Sequence, residues 1–326
     1  MRGPFWLATL LAFTAIFFQL GHATAQTGER TSTDAYRLAN QSVAGVEIPT
    51  ARTEACTQPT PTMFGDIIAI LIGLRSPAAA PVSYGGLKIA ENESPLPMNR
   101  VFATYNYYNN VNSVVDVHRE VIGFEQTFLD GRASVGMRLP FFQADGPGPD
   151  WYNKIDDLSV TLKYAIWLDR PTGSAVSVGL SVTAPTGAVY RDTNLNEHRL
   201  VQFQPFAAAI WQRDRFYVHG FSSVVLPTDD VAPTLFFNDV GVGYWAYQNP
   251  GGRLLTGVVP TIEAHVTTPL NHRGEQDPER RRDLVNVTAG THLFFGNRSL
   301  GFAVGTPVTG PRLFTVEGIV QFNWRY

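Results

Sequence analysis

Between residues 99 and 326 apolar and polar residues alternate along short runs, and each run ends in a turn signal. Leu158, Val160, Leu162, Tyr164, Ile166 and Leu168 share one face against Asp157, Ser159, Thr161, Lys163 and Ala165. Val258, Ile262, Ala264 and Val266 oppose Thr261, Glu263, His265 and Thr267. Phe314, Val316, Gly318, Val320, Phe322, Trp324 and Tyr326 oppose Thr315, Glu317, Gln321, Asn323 and Arg325. A period of two is the mark of a β-strand with one apolar and one polar face. The runs predict twelve strands, at about 99–108, 116–128, 132–142, 156–168, 174–185, 198–212, 215–227, 234–248, 252–268, 283–295, 298–307 and 313–326.

Soluble sheets share this alternation, so the connections discriminate. The odd connections, 109–115, 143–155, 186–197, 228–233, 269–282 and 308–312, are all longer than the even ones. The even ones are Leu129-Asp130-Gly131, Arg170-Pro171-Thr172-Gly173, Arg213-Asp214, Asn249-Pro250-Gly251 and Gly296-Asn297. A two-residue Asp130-Gly131 turn sets Phe128 against Ala133, Gln126 against Val135, Phe124 against Met137 and Glu125 against Gly136. A Gly296-Asn297 turn sets Leu293 against Leu300 and Thr291 against Phe302. Both registers put mostly apolar positions on one face, as pairing requires. An even strand number, strands near ten residues and loops long at one end only are features of an outer-membrane β-barrel. A soluble β-sandwich has strands nearer five or six residues and no such asymmetry. The expected fold is all-β, a transmembrane antiparallel up-and-down barrel over 99–326 in the outer membrane of a Gram-negative-type bacterium.

Upstream the texture differs. Arg2, the apolar run Trp6 to Phe18 and Ala23-Thr24-Ala25 read as a signal peptide over 1–25, cleaved between Ala25 and Gln26. Residues 26–98 read as a periplasmic lead, rich in Thr, Ala, Gln and Pro and without periodicity over 26–62. Within it Met63 to Arg75 predicts one short helix, closed by Ser76 to Pro81. Residues 64–74 are then either a plug that folds into the lumen or a small satellite helix. Past the signal the longest apolar run is Ile67 to Leu74, too short for a spanning helix of about 20 residues.

Composition narrows the chemistry. The formal net charge is −3, and removal of a signal carrying Arg2 alone leaves the chain more acidic, which argues against a nucleic-acid surface. Cys56 is the sole cysteine, so neither a disulfide framework nor a Cys-based metal site is expected. His22, His118, His198, His219, His265, His272 and His292 show no metal-ligand or hydrolase spacing. No Gly-x-Ser-x-Gly occurs, since Gly179-Leu180-Ser181 lacks the closing Gly. No cofactor, metal or covalent chemistry is expected.

The polar faces are therefore the place to seek function. Strand parity turns Arg119, Glu125, Arg132, Arg138, Lys163, Glu263, His265, Glu317 and Arg325 into the lumen. They form either a charged constriction that sets the field along a pore or a salt-bridge network that fills a narrow barrel. Arg outnumbers Lys 22 to 3, which suits paired guanidinium sites in a barrel interior, although organism bias explains it equally. Trp167, Trp211, Trp245 and Trp324 fall near strand ends of the short-turn side, as in an interfacial girdle. Parity turns Trp324 outwards and Trp167 inwards.

Gly318 to Tyr326, with alternate aromatics ending on Phe322, Trp324 and Tyr326, resembles the C-terminal assembly signal of bacterial outer-membrane proteins. Val176 to Gly187, with the following Val201 to Pro227 hairpin, is similar to a segment of transporters grouped with the MetA-pathway of phenol degradation family. The resemblance covers about a third of the chain. It implies a channel for small, often hydrophobic or aromatic, molecules. Tyr105 to Tyr108 and Gly123 to Phe142 resemble outer-membrane segments that carry no function with them. The expected partners are outer-membrane lipid, the barrel-assembly machinery and a small-molecule solute, for a monomeric barrel. A closed structural or surface-interaction barrel is the alternative, and a lipid-modifying barrel enzyme the third.

Overall fold

A computed structural model describes residues 59–66, 88–111, 115–145, 152–187, 190–191, 197–229, 232–271, 283–310 and 312–326. The expected signal peptide, its cleavage site at Ala25 and Gln26, and residues 67–75 of the expected helix lie outside them. Met63 to Asp66, the described start of that helix, are not helical.

Twelve long strands form the wall: β1 Arg100–Val111, β2 Val115–Phe128, β3 Ala133–Asp145, β4 Leu158–Asp169, β5 Ser174–Ala184, β6 Gln202–Arg213, β7 Phe216–Pro227, β8 Leu235–Tyr244, β9 Gly257–Pro269, β10 Leu284–Phe295, β11 Arg298–Pro307 and β12 Val316–Arg325. Each pairs antiparallel with its neighbours in sequence, and β1 pairs with β12, so the sheet closes without an edge. Closure lets every backbone group of the wall find a partner in a lipid environment. Short strands at Tyr152–Ile155 and Tyr247–Gln248 pair antiparallel with β3 and β9, and Tyr190–Arg191 pairs with Glu197–His198.

Both expected hairpin registers hold. Phe128 pairs with Ala133, Phe124 with Met137 and Glu125 with Gly136; Leu293 pairs with Leu300 and Thr291 with Phe302. The Asp130-Gly131 turn works because both residues adopt φ near 54° and 75°, which Asp tolerates and Gly adopts freely.

Two connections break the expected length rule. The β1–β2 connection shrinks to 112–114, because both strands run further than the alternation predicts. The β8–β9 connection grows to 245–256. There Trp245 continues the inward parity of β8, buried between exposed Tyr244 and Ala246, and stacks on Phe294 at 5.0 Å. Gly257 makes room for it, since a Cβ there would lie 2.6 Å from the indole.

A second departure is a bulge in β4. The register with β5 shifts between Ala165 and Trp167, so Ile166 and Trp167 both emerge exposed and Leu168 packs inwards. A bulge inserts one residue and reverses the parity beyond it. The expectation that Trp167 points inwards is thereby corrected.

Outside, the wall is apolar around its circumference: Leu162, Leu180, Trp211, Val240, Ile262, Phe302 and Val304 are exposed. An apolar outer band on a closed barrel is the surface that a bilayer covers. Inside lies a three-layered core. Tyr108, Val117, Phe142, Leu200, Leu284, Leu313 and Phe314 cluster at the long-loop end, Leu96, Ile210, Tyr217, Trp245, Val259 and Phe294 at the short-turn end. Between them the interior is largely polar, with smaller apolar clusters of Met63, Ile89 and Phe206 and of Phe64 and Ile319.

Candidate functional site: a charged lumen filled by the chain itself

Residues 59–66 and 88–98 run inside the wall and are almost entirely buried. They carry few of the periodic signals that identify strands, so the wall's side chains hold them instead. Met63 N–H donates to the Glu93 carbonyl at 2.8 Å and links the two pieces.

The first piece is clamped by β9, β10 and β12. The Glu263 carboxylate accepts the Phe64 N–H at 2.9 Å and the Gly65 N–H at 3.0 Å. The Gln321 amide donates to the carbonyls of Met63 and Phe64 at 3.2 and 3.0 Å. The Phe64 ring stacks on His292, centroids 4.2 Å apart.

The second piece meets the wall through charge. Glu93 Oε1 lies 2.6 Å from Lys163 Nζ; its Oε2 lies 3.2 Å from Arg100 Nη2 and also pairs with Arg138. Glu91 pairs with Arg119. Asn92 is held on three sides: Arg100 Nη1 donates to its carbonyl, Asn323 Nδ2 to its Oδ1, and its own Nδ2 donates to Thr104. Lys163 also donates to the Ser94 carbonyl, and the Ser177 hydroxyl to that of Pro95. Burial alone would push the Glu93 carboxyl up, but Lys163, Arg100 and Arg138 outweigh it and hold it at about 2.

A second ionic cluster occupies the other side of the lumen. Lys88 pairs with Asp66 and lies 2.6 Å from Asp239 Oδ1. Asp239 Oδ1 is also 2.9 Å from His265 Nδ1, and His265 Nε2 is 3.3 Å from Glu263. Burial works against the charges of Asp66 and Lys88. Even so Lys88 and His265 hold the Asp66 carboxyl below its usual range, and Asp239 and Asp66 raise the Lys88 ammonium. Ligating atoms of Asp66, Asp239 and His265 fall within 4.8 Å of one another. The Lys88 ammonium already supplies a cation to both carboxylates, while Asp239 Oδ2 has no hydrogen-bond partner among the described residues.

Of the residues that parity turns inwards, Arg119, Glu125, Arg138, Lys163, Glu263, His265 and Glu317 are buried in the interior. Arg325 is half-buried at the short-turn rim, its guanidinium 5.5 Å from the Phe294 centroid. Arg132 is the correction. It stands in the 129–132 turn and is exposed, because strand alternation begins only at Ala133. Phe322 and Trp324 lie on the outer face, and Tyr326 is exposed, its hydroxyl donating to Gln126 at 3.0 Å.

Parity also reaches Arg100, His219 and Asp239, which belong to the same network and follow from extending the alternation along β1, β7 and β8. The partners from the lead, Asp66, Lys88, Glu91 and Glu93, have no such signal. Their only trace is a group of charges in an otherwise uncharged stretch.

No protein-family model and no curated protein matches the chain. Solved structures do. An outer membrane channel from Pseudomonas putida F1 superposes with a TM-score of 0.53 at 13% identity, covering 72% of this chain and 97% of that one. The NanC porin gives a TM-score of 0.42 at 10% identity, covering 70% and 98%. LpxR from Salmonella typhimurium gives 0.43 at 7%, covering 69% and 100%. At these identities the likeness to the channel concerns the fold. Together with the closed wall and its apolar exterior, it makes this chain an outer-membrane β-barrel.

Proposed function

We propose that the protein is an outer-membrane channel for small molecules, held shut by its own N-terminal segment. The observation that carries this reading is the chemistry of the contact between segment and wall. Glu93 is bound by three wall cations, Arg100, Arg138 and Lys163, and Lys88 by a wall carboxylate, Asp239. Buried ion pairs give little net stability, because desolvation offsets most of the attraction. A barrel filled for permanence is more stably filled with apolar side chains. Apolar contacts do hold part of the segment, Met63, Ile89 and Ala90 against Phe206, Ala208 and Phe221, and Phe64 against Ala303 and Ile319. Around Glu93 and Lys88, however, both faces are groups that water and ions can solvate, so withdrawal of the segment would leave a charged strip of wall along β1, β3, β4 and β8. The resemblance of Val176 to Gly187 to MetA-pathway transporters adds aromatic compounds to the solutes to be assayed. Residues 26–98 then act as lead and plug, and Phe322, Trp324 and Tyr326 serve the assembly machinery.

One observation favours a permanently closed structural barrel. Apolar clusters cap the interior at both ends, with Tyr108 packed edge-on against Phe314 at 5.4 Å. Single-channel recording in planar bilayers separates the two readings, comparing the chain from Gln26 with one lacking 26–98. A channel conducts, and conducts more after truncation. Silence from both, with heat-modifiable migration confirming folded barrels, would favour the closed barrel.

A further inference from the structure

The wall around Glu93 holds more positive charge than it needs for itself. Arg100, Arg138 and Lys163 converge there, and the wall supplies one carboxylate, Glu125, which lies 2.9 Å from Arg100 Nε and 2.8 Å from Lys163 Nζ. The remaining charge is met by Glu93, a residue of the segment and not of the wall.

Arg100 and Lys163 are positioned without Glu93, and Arg138 is flanked by the Phe102 ring. Glu125 orients Arg100 and Lys163, and Asn323 accepts from Arg100 Nη1 at 2.9 Å. The Phe102 ring lies 4.6 Å from the Arg100 guanidinium and 5.6 Å from that of Arg138. Such cation–π contacts fix the planes of both groups. Gly123 permits the ring to lie there, since a Cβ would stand 2.4 Å from its Cζ. A gap of about 10 Å³, the room of one water-sized sphere, borders Glu93, Phe102, Arg138 and Lys163. Arg138 is 2% exposed, and its Nη1 has no hydrogen-bond partner among the described residues. Donor capacity is therefore left over beside the carboxylate.

We propose that Arg100, Arg138 and Lys163 form the solute-binding site of the channel for a small carboxylate, and that Glu93 occupies it as an intramolecular stand-in. The proposal rests on the channel reading above. Planar guanidinium groups match the two oxygens of a carboxylate, and lysine adds a compact charge. A free carboxylate that enters from the loop side or the turn side competes with Glu93 for the same donors. Its binding removes the main ionic contact of 88–98 with β1, β3 and β4, so the transported anion itself favours release of the segment. The second cluster does not offer an equivalent site, because Lys88 and Asp66 both come from the segment and neutralise each other's neighbours.

Chemical rescue of the full chain tests this. Glu93→Ala removes the carboxylate and leaves a space of its size among the three cations. The unfolding midpoint of E93A should fall, and sodium propionate should restore it, whereas sodium chloride at equal ionic strength should not. The parent should gain nothing, and E93A/R138Q/K163Q should not be rescued. Where E93A does not fold unaided, the yield of folded barrel on refolding in propionate against chloride reads the same question. Equal rescue by chloride, or rescue that survives loss of Arg138 and Lys163, would overturn the site. Equal rescue by inorganic phosphate would overturn its assignment to carboxylates. In bilayers, propionate should raise the opening frequency of the parent chain over chloride, and R138Q should lose that response. Bilayer silence with intact rescue would count against the channel reading alone; conductance without rescue would count against this site alone.

Discussion

The carboxylate of Glu263 accepts the backbone N–H of Gly65 at 3.0 Å across 198 positions of sequence. It takes the Phe64 N–H as well, so one wall side chain satisfies two donors of a segment that forms no regular structure. Hydrogen bonds to a charged acceptor contribute about 1.5–3 kcal/mol each. Glu263→Gln should therefore loosen 59–66 and speed its amide exchange, with the barrel intact. Unchanged protection of the Phe64 and Gly65 amides would contradict the clamp.

Gly65 adopts φ of 76°, and a Cβ there would lie 2.6 Å from the Glu91 Cα. Gly65→Ala meets both a left-handed backbone and a backbone collision, at a cost of about 1–3 kcal/mol. The expected result is separation of 59–66 from 88–98, seen as faster exchange in both pieces. An effect confined to the first piece would show that they are held independently.

Glu93 and Arg138 belong to one buried network, so their substitutions should not add. Removal of Arg138 leaves Glu93 with less compensation and should destabilise the segment by about 3–5 kcal/mol. The double variant E93Q/R138Q should be less damaged than the sum of the singles, because no uncompensated charge remains. Additive losses in a double-mutant cycle would show that the pair is not coupled.

Two tryptophans near the short-turn end should behave differently. Trp245 is 2% exposed and stacks on Phe294, so Trp245→Ala should cost about 3–5 kcal/mol through the cavity it leaves. Trp211 faces outwards, 51% exposed, and its truncation should leave the unfolding midpoint nearly unchanged in detergent. Comparison of the two midpoints checks the assignment.

Asp157 lies in the connection before β4, and burial pushes its carboxyl up to about 6 although the Gly187 N–H, 2.9 Å away, favours the charged form. A raised folded value means that the folded loop binds the proton more tightly than the unfolded chain, whose value is near 3.8. The resulting stability is full below that value and is lost as pH rises through about 6. A carboxyl carbon titration of Asp157 should show a midpoint near 6, and Asp157→Asn should abolish the pH dependence of Gly187 exchange across this range.

Glu93 has the opposite sign. Its folded value near 2 is below the 4.5 of a free glutamate, so the contribution is present above 4.5 and is lost as pH falls towards 2. On the proposed channel reading, the opening frequency of the chain from Gln26 should rise over that acid interval, and E93Q should remove the rise.

What the chain's own order of residues determined is the wall. Period-two alternation is a local property, set by the pleat. It placed the twelve strands, two hairpin registers and the inward positions of Arg119, Glu125, Arg138, Lys163, Glu263, His265 and Glu317. It failed at the β4 bulge that turns Trp167 out, and at Arg132, where the turn outlasts the strand pattern. The occupant of the lumen was decided by tertiary structure alone. Segments 59–66 and 88–98 have no periodicity, since their backbone polar groups and charges are satisfied by wall side chains that lie far away in sequence and meet only once the barrel closes.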